Sequence, residues 1–309
     1  MQAKTAPPQI SAAKRTKTPR PFSPTSCGNM SSLLDIKPKL YFIRDMTLWF
    51  FRSMSAAVIS AALLSASSAF ACCTVAEARQ ALRVGNFDLA ASAAPQLGTT
   101  EARLIAAEAL SAKVLLGMAE DDKDTARKAL ALSESVLLED PNNKEARFQY
   151  ALADGFITRA TSPFSAWRKK LPQKTKVIVD DLIERSPEDG RAHALLGAWH
   201  LGILRKTGDK NGKKWFDADP SLGQAAYETA LLLRPDDIII RSNYALSLAE
   251  LDFETHKTRA REMLVTALAA QPKDAVERDV QLRMREVLNL WGDDTARAER
   301  IEQFLDGKG

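Results

Sequence analysis

A chain of 309 residues that is 45% hydrophobic, with only 14 Gly and 14 Pro, carries enough apolar material for one or two packed domains and is not a disordered chain. The formal charge of +4 is unevenly placed: residues 1–71 hold nine Lys/Arg against two Asp/Glu, so the remainder has a net charge of −3. Once that leader is set aside the protein is slightly acidic, the basic balance is no sign of nucleic-acid binding, and none is expected.

Residues 1–45 read as a disordered extension, or as sequence ahead of a true start at Met46. They are rich in Pro, Ser, Lys and Thr, with turn formers such as Pro7-Pro8 and Pro19-Arg20-Pro21 and no apolar period. Residues 46–71 read as a signal peptide. Met46 to Arg52 forms a short leading region, 54–68 is an apolar run of small residues too short for a permanent span, and Ala69-Phe70-Ala71 is the small-x-small pattern a signal peptidase accepts. Cleavage after Ala71 and a periplasmic location are the expectation. The alternative is a lipid anchor to the envelope through Cys72, although Phe70 and Ala69 depart from the residues usual before a lipidated cysteine. With Cys27 in the extension, the adjacent Cys72 and Cys73 cannot build a disulfide framework.

Residues 72–309 read as one all-α domain, because Ala, Leu, Glu, Arg and Lys dominate and favour helix. Helices are expected near 74–84, 87–96, 99–118, 122–140, 143–160, 173–186, 188–206, 220–234, 236–252, 256–271, 273–290 and 294–306. Four prolines punctuate the series, in Pro141-Asn-Asn, Pro187-Glu-Asp, Pro235-Asp-Asp and Pro272-Lys-Asp. Proline is excluded from a helix interior, and the Asp or Asn that follows can cap the next helix. At eight, five and four residues before each proline stand one-face positions: Tyr227, Ala230 and Leu231 before Pro235; Leu264, Ala267 and Leu268 before Pro272; Val136 and Leu137 before Pro141; Val179, Leu182 and Ile183 before Pro187. After Pro187, the run from Ala192 through Gly197 to His200 carries a Leu-Gly pair where two helices touch closely.

These residues resemble the tetratricopeptide repeat, whose first helix carries small residues and Leu-Gly and whose second carries Ala, an aromatic, Ala and a closing Pro. Gly85-Asn86-Phe87-Asp88-Leu89-Ala90 resembles its inter-helix turn. The resemblance implies a right-handed helical-hairpin solenoid of the exported bacterial type, about five hairpins long. Proline-to-proline spacings of 46, 48 and 37 exceed the family's repeat of about 34 residues, so two repeats carry inserts. A stretch over about 177–237 is also similar to the tetratricopeptide-like regulators of microtubule dynamics. That likeness implies a helical scaffold and no chemistry, and a protein with this leader would not meet microtubules.

Both inserts mix cations with aromatics. The first, 159–176, holds Phe164, Trp167, Arg168, Lys169 and Lys170; the second, 205–216, holds Lys213, Lys214, Trp215 and Phe216. Each joins the first helix of a pair to the second, so they are expected as neighbouring loops on one edge, forming a partner-binding rim. The alternative is that the four aromatics fold back as lids on their own helices. A second candidate surface is the groove lined by first helices, where Asn143, Arg147, Tyr150, Asp154, His193, Trp199, His200, Arg241, Asn243 and Tyr244 are available, Trp199 more as packing than as contact.

No catalytic, metal or cofactor role is expected. His193, His200 and His256 lack metal-ligand spacing, and no nucleotide-binding or nucleophile-elbow motif occurs. The expected function is a non-catalytic scaffold that binds a protein or peptide in an envelope complex, with an anionic membrane or cell-wall surface as the alternative partner.

Overall fold

A computed structural model describes residues 74–308; the extension 1–45, the leader 46–71 and Cys72 lie outside the described residues. Those residues are all-helical, with fourteen α-helices and no strand. In chain order these are α1 (Val75–Val84), α2 (Phe87–Ala93), a 3-10 turn at Ala94–Leu97, α3 (Thr100–Leu115), α4 (Asp122–Glu139), α5 (Lys144–Arg159), α6 (Pro163–Arg168) and α7 (Leu171–Arg185). There follow α8 (Gly190–Thr207), α9 (Asp209–Phe216), α10 (Pro220–Leu233), α11 (Ile238–Leu251), α12 (Phe253–Ala269), α13 (Ala275–Asn289) and α14 (Asp294–Leu305). Among them no helix is long and apolar enough to cross a membrane.

Helix starts follow the capping chemistry of the sequence. Side chains of Thr74, Thr99, Asp121, Asn143, Asp189, Asp219, Asp237, Asp252, Asp274 and Asp293 each accept a backbone N–H from the first turn they precede. Each such cap is worth about 1 kcal/mol. Asn143, Asp189, Asp237 and Asp274 are the residues that follow the four punctuating prolines. Gly85 ends α1 in the left-handed region (φ 91°), where a Cβ would be strained, and Asn86 accepts the N–H of Leu89 to begin α2.

Counting back from the four prolines, the positions at minus twelve, minus eight and minus five are buried every time. They are Ala129, Ser133 and Val136; Thr175, Val179 and Leu182; Gly223, Tyr227 and Ala230; Ala260, Leu264 and Ala267. The residues at minus four are half-buried. Small residues on this stripe let the preceding helix approach. The closest approach is between α8 and α10, where a Cβ on Gly197 would stand 2.5 Å from the ring of Tyr227, and one on Gly190 would stand 2.9 Å from the carbonyl of Ala230. Tyr227 cannot yield, because it is fully buried and its ring stacks on Tyr244 with centroids 4.8 Å apart.

Helices α1, α3, α5, α8, α11 and α13 open successive pairs, and each packs on the next. Contacts also run from α13 back to α1, which a strictly open array in which each pair meets only its neighbours would lack. One apolar cluster accordingly joins Ala78 and Leu82 of α1 to Met284 of α13 and Phe304 of α14, while buried residues of α4, α5 and α7 pack in three smaller clusters of their own. The Cβ of Ala275 lies 2.9 Å from where a Cβ on Gly85 would stand, and Arg283 of α13 donates to the carbonyl of Leu116 at the end of α3. At the C-terminal ends of α5 and α8 the chain is fastened again. Asp306, just past α14, accepts from Arg205 at 2.5 Å and Lys206 at 2.8 Å, and Gly307 lies against the guanidinium of Arg159. Burial alone would raise the Asp306 carboxyl; the hydrogen bonds from Lys206 and Arg205 outweigh it and hold it below the usual carboxylate range.

Two stability outcomes follow. Gly197→Ala gains helix propensity but drives a methyl into an immovable ring, so the urea midpoint is expected to fall by the equivalent of about 1–3 kcal/mol. Asp306→Asn is expected to cost about 1–3 kcal/mol at neutral pH, because Arg205 keeps a buried charge with a weaker partner. A depressed carboxyl stabilises above its unfolded value and loses that contribution as pH falls through the folded one. The difference between Asp306→Asn and the parent should therefore shrink below about pH 4.

Candidate partner-binding face

The inserts are helical, where loops were expected. Pro163 sits at the first helical position of α6, with its φ already suited to a helix and no N–H to lose. In α9, Gly212 faces Leu204 of α8 across a distance that leaves no room for a Cβ, and Phe216 is buried beside it. Phe216 was expected on the rim; at 8% exposure it is a core residue, because the helical turn that turns Trp215 outward turns its neighbour inward.

The other three aromatics stand in solvent. Phe164 is 69% exposed, Trp167 53% and Trp215 52%, although burying such rings is worth about 2 kcal/mol or more each. Phe164 and Trp167 share a face at i, i+3 with ring centroids 6.3 Å apart, while Ala166 turns inward. Gln173, at the start of α7, donates to the carbonyl of Trp215 at 3.5 Å, which brings the two inserts side by side. Both follow the C-terminal ends of first helices, so the aromatics lie at the end of the array where Asp306 is held.

Among the described residues the cations around them have few carboxylate partners. Residues 155–179 contain six Lys/Arg and no Asp/Glu, and 205–216 contain five against one. Among the described residues no carboxylate lies within 4.0 Å of Arg168, Lys169, Lys170, Lys174, Lys210 or Lys214, and Lys213 reaches Asp219 only at 3.9 Å. Elsewhere the cations of this fold are commonly paired, as in Arg103 with Glu139, Arg191 with Glu145 and Arg300 with Glu286. Lys170 holds a left-handed conformation (φ 53°) between α6 and α7, which costs a non-glycine residue about 1 kcal/mol.

Most of the groove residues prove to be structural. Arg147 donates to the carbonyl of Pro141, His193 Nε2 to Pro187 at 2.8 Å and Arg241 to Pro235; Arg297 does the same to Trp291 at 2.9 Å. Each side chain lies six residues after the carbonyl it reaches and satisfies an acceptor in the turn just past the preceding helix's C-cap. Asn143 is a cap, and Trp199 is buried with Nε1 donating to Pro172. His200 is buried with Nδ1 accepting from the N–H of Asp219, and desolvation first, then Lys176, lowers its pKa. Asp154 accepts from Thr175, while Tyr244 stacks on Tyr227 and donates to Glu228 at 3.3 Å.

One groove residue escaped the sequence reading. Glu108 of α3 keeps access to solvent, yet the surrounding helices dehydrate it. Desolvation pushes its pKa up to about 7, Glu145 of α5 and Asp274 at the start of α13 add repulsion, and Arg79 of α1 and Arg191 of α8 oppose it. All five belong to first helices or their caps; the other four stand 29 to 166 residues from Glu108 in the chain, so the fold and no motif brings them together. Two surface hollows, of about 630 and 290 Å³, lie elsewhere: one between α2 and α4 beside Leu89 and Lys128, the other along α12 beside Trp291. Neither is lined by an insert residue.

A carboxyl raised in the folded state keeps its proton after the unfolded chain has lost its own near pH 4.3, so stability falls as pH rises from there to about 7. Glu108→Gln is expected to flatten that slope in urea titrations across pH, matching the parent near the acid end and exceeding it above about pH 7. No protein-family model matches the chain, and no curated protein matches it.

Proposed function

We propose that this chain is a non-catalytic binding scaffold, an exported helical-repeat solenoid of the tetratricopeptide type whose basic-aromatic face holds an anionic partner outside the cytoplasm. The observation that carries the reading is the nearness of three exposed aromatics to six cations with no carboxylate within 4.0 Å among the described residues, on two inserts that meet where Gln173 of α7 reaches the Trp215 carbonyl of α9. Aromatic rings supply contact area at low entropic cost, and cations with no carboxylate nearby supply both attraction and orientation. The proline punctuation, the small-residue stripe and the Gly85 turn support the repeat assignment, and the apolar leader ending at Ala71 supports export. Within the groove, Arg147, His193, Arg241, Trp199 and His200 are engaged in holding helix ends, which leaves the inserts as the freer chemistry.

Chemical crosslinking in the envelope fraction tests the reading. Lys169→Glu, Lys170→Glu, Lys213→Glu and Lys214→Glu combined should leave the helical circular-dichroism signal in place and abolish recovery of the partners captured by the parent. Recovery of the same partners at the same yield would overturn it.

A further inference from the structure

We infer that the face built by α6 and α9 docks on an anionic lipid bilayer; the inference rests on the reading of this face as the binding surface and names its partner. A peptide ligand is gripped in a groove whose walls bury its side chains, or along the edge of a sheet. Here the aromatics do the opposite. Phe164, Trp167 and Trp215 project into solvent from short helices, and they line neither of the hollows at α2/α4 and α12. Rings that project into solvent, outside both of those hollows, suit a soft partner that closes around them, which is what the headgroup region of a bilayer does with Trp and Phe.

The charges fit the same partner. Arg168, Lys169, Lys170, Lys174, Lys210 and Lys214 have long stems and no carboxylate within 4.0 Å among the described residues, so their heads are free to reach lipid phosphates while the rings sit deeper. The domain carrying them has a net charge of −3 outside the leader, so attraction to an anionic surface requires this face to be turned toward it. Docking through these rings and lysines alone is peripheral and reversible.

Co-sedimentation of the whole chain with vesicles of phosphatidylglycerol mixed into phosphatidylcholine, against vesicles of phosphatidylcholine alone, decides it. The expected result is binding to the anionic vesicles that weakens as salt is raised, with a blue shift in tryptophan emission. The Lys169/Lys170/Lys213/Lys214→Glu variant should bind at least about a hundredfold more weakly, each lysine near a charged surface being worth about 1 kcal/mol. Phe164→Ala with Trp167→Ala and Trp215→Ala should weaken binding and remove the blue shift, and Lys257→Glu with Arg261→Glu, on α12, should change neither. Equal binding to both vesicle types, binding insensitive to salt and to the insert variants, or no binding to either vesicle overturns the inference. If vesicles are not bound while crosslinking still captures an acidic protein that the four-lysine variant loses, the bilayer falls and the binding face stands; if capture too is insensitive to the variant, both fall.

Discussion

Helix backbones in this chain approach one another closely because Gly or Ala occupies the points where they cross. At Gly197 a Cβ would overlap the ring of Tyr227, and Gly190 presses on the Ala230 carbonyl. Gly223 lies just as close to His200 and Leu201. Close approach lets the Tyr227 and Tyr244 rings stack as a common layer of α8, α10 and α11, and it fixes the angle at which each pair hands on to the next. The same buried stripe recurs ahead of every punctuating proline, with Gly or Ala in it before Pro141, Pro235 and Pro272 and Thr175, Val179 and Leu182 before Pro187. Caps and the side chains that reach back to Pro141, Pro187, Pro235 and Trp291 then hold each turn at a defined length.

From that packing follows the position of the inserts. Because α6 and α9 each begin where a first helix ends, they emerge at the same end of the array, where Gln173 of α7 reaches the Trp215 carbonyl of α9. The same end carries Arg159, Arg205 and Lys206, which are engaged by Asp122 and Asp306. Cations of two kinds thus lie near one another. Those on the first helices are engaged by carboxylates of the chain itself, and most of those on the inserts are exposed with no carboxylate within 4.0 Å among the described residues.

Much of the helix plan was legible. The prolines with Asn143, Asp189, Asp237 and Asp274 mark helix boundaries through backbone chemistry that any chain obeys, and the burial of Tyr227, Leu264 and Val179 at equal offsets follows from helical period alone. Three features were not legible, each for a physical reason. The contact of α13 with α1 depends on the curvature accumulated over many pairs, which no local pattern encodes. The inserts looked like loops because an eight-residue segment such as α9 is too short to show a period, and only packing on Leu204 separates Phe216 from Trp215. Glu108 has an ordinary sequence context; its burial comes from the fold, and the charges that act on it, Glu145, Arg79, Asp274 and Arg191, are remote in the chain. For the candidate face, the residue types were readable and their depth was not.

The return of α13 to α1 changes how the molecule comes apart. In an open row of hairpins the terminal units fray first, and stability declines from the middle outward. Here the first and last pairs share one core, and Arg283, Asp306 and Gly307 tie residues more than a hundred positions apart. Opening any one seam exposes apolar surface on both sides of the closure, so the pairs lose their independence. A closure of this kind couples the opening of α1 to that of α13, where an open row would let each end fray by itself.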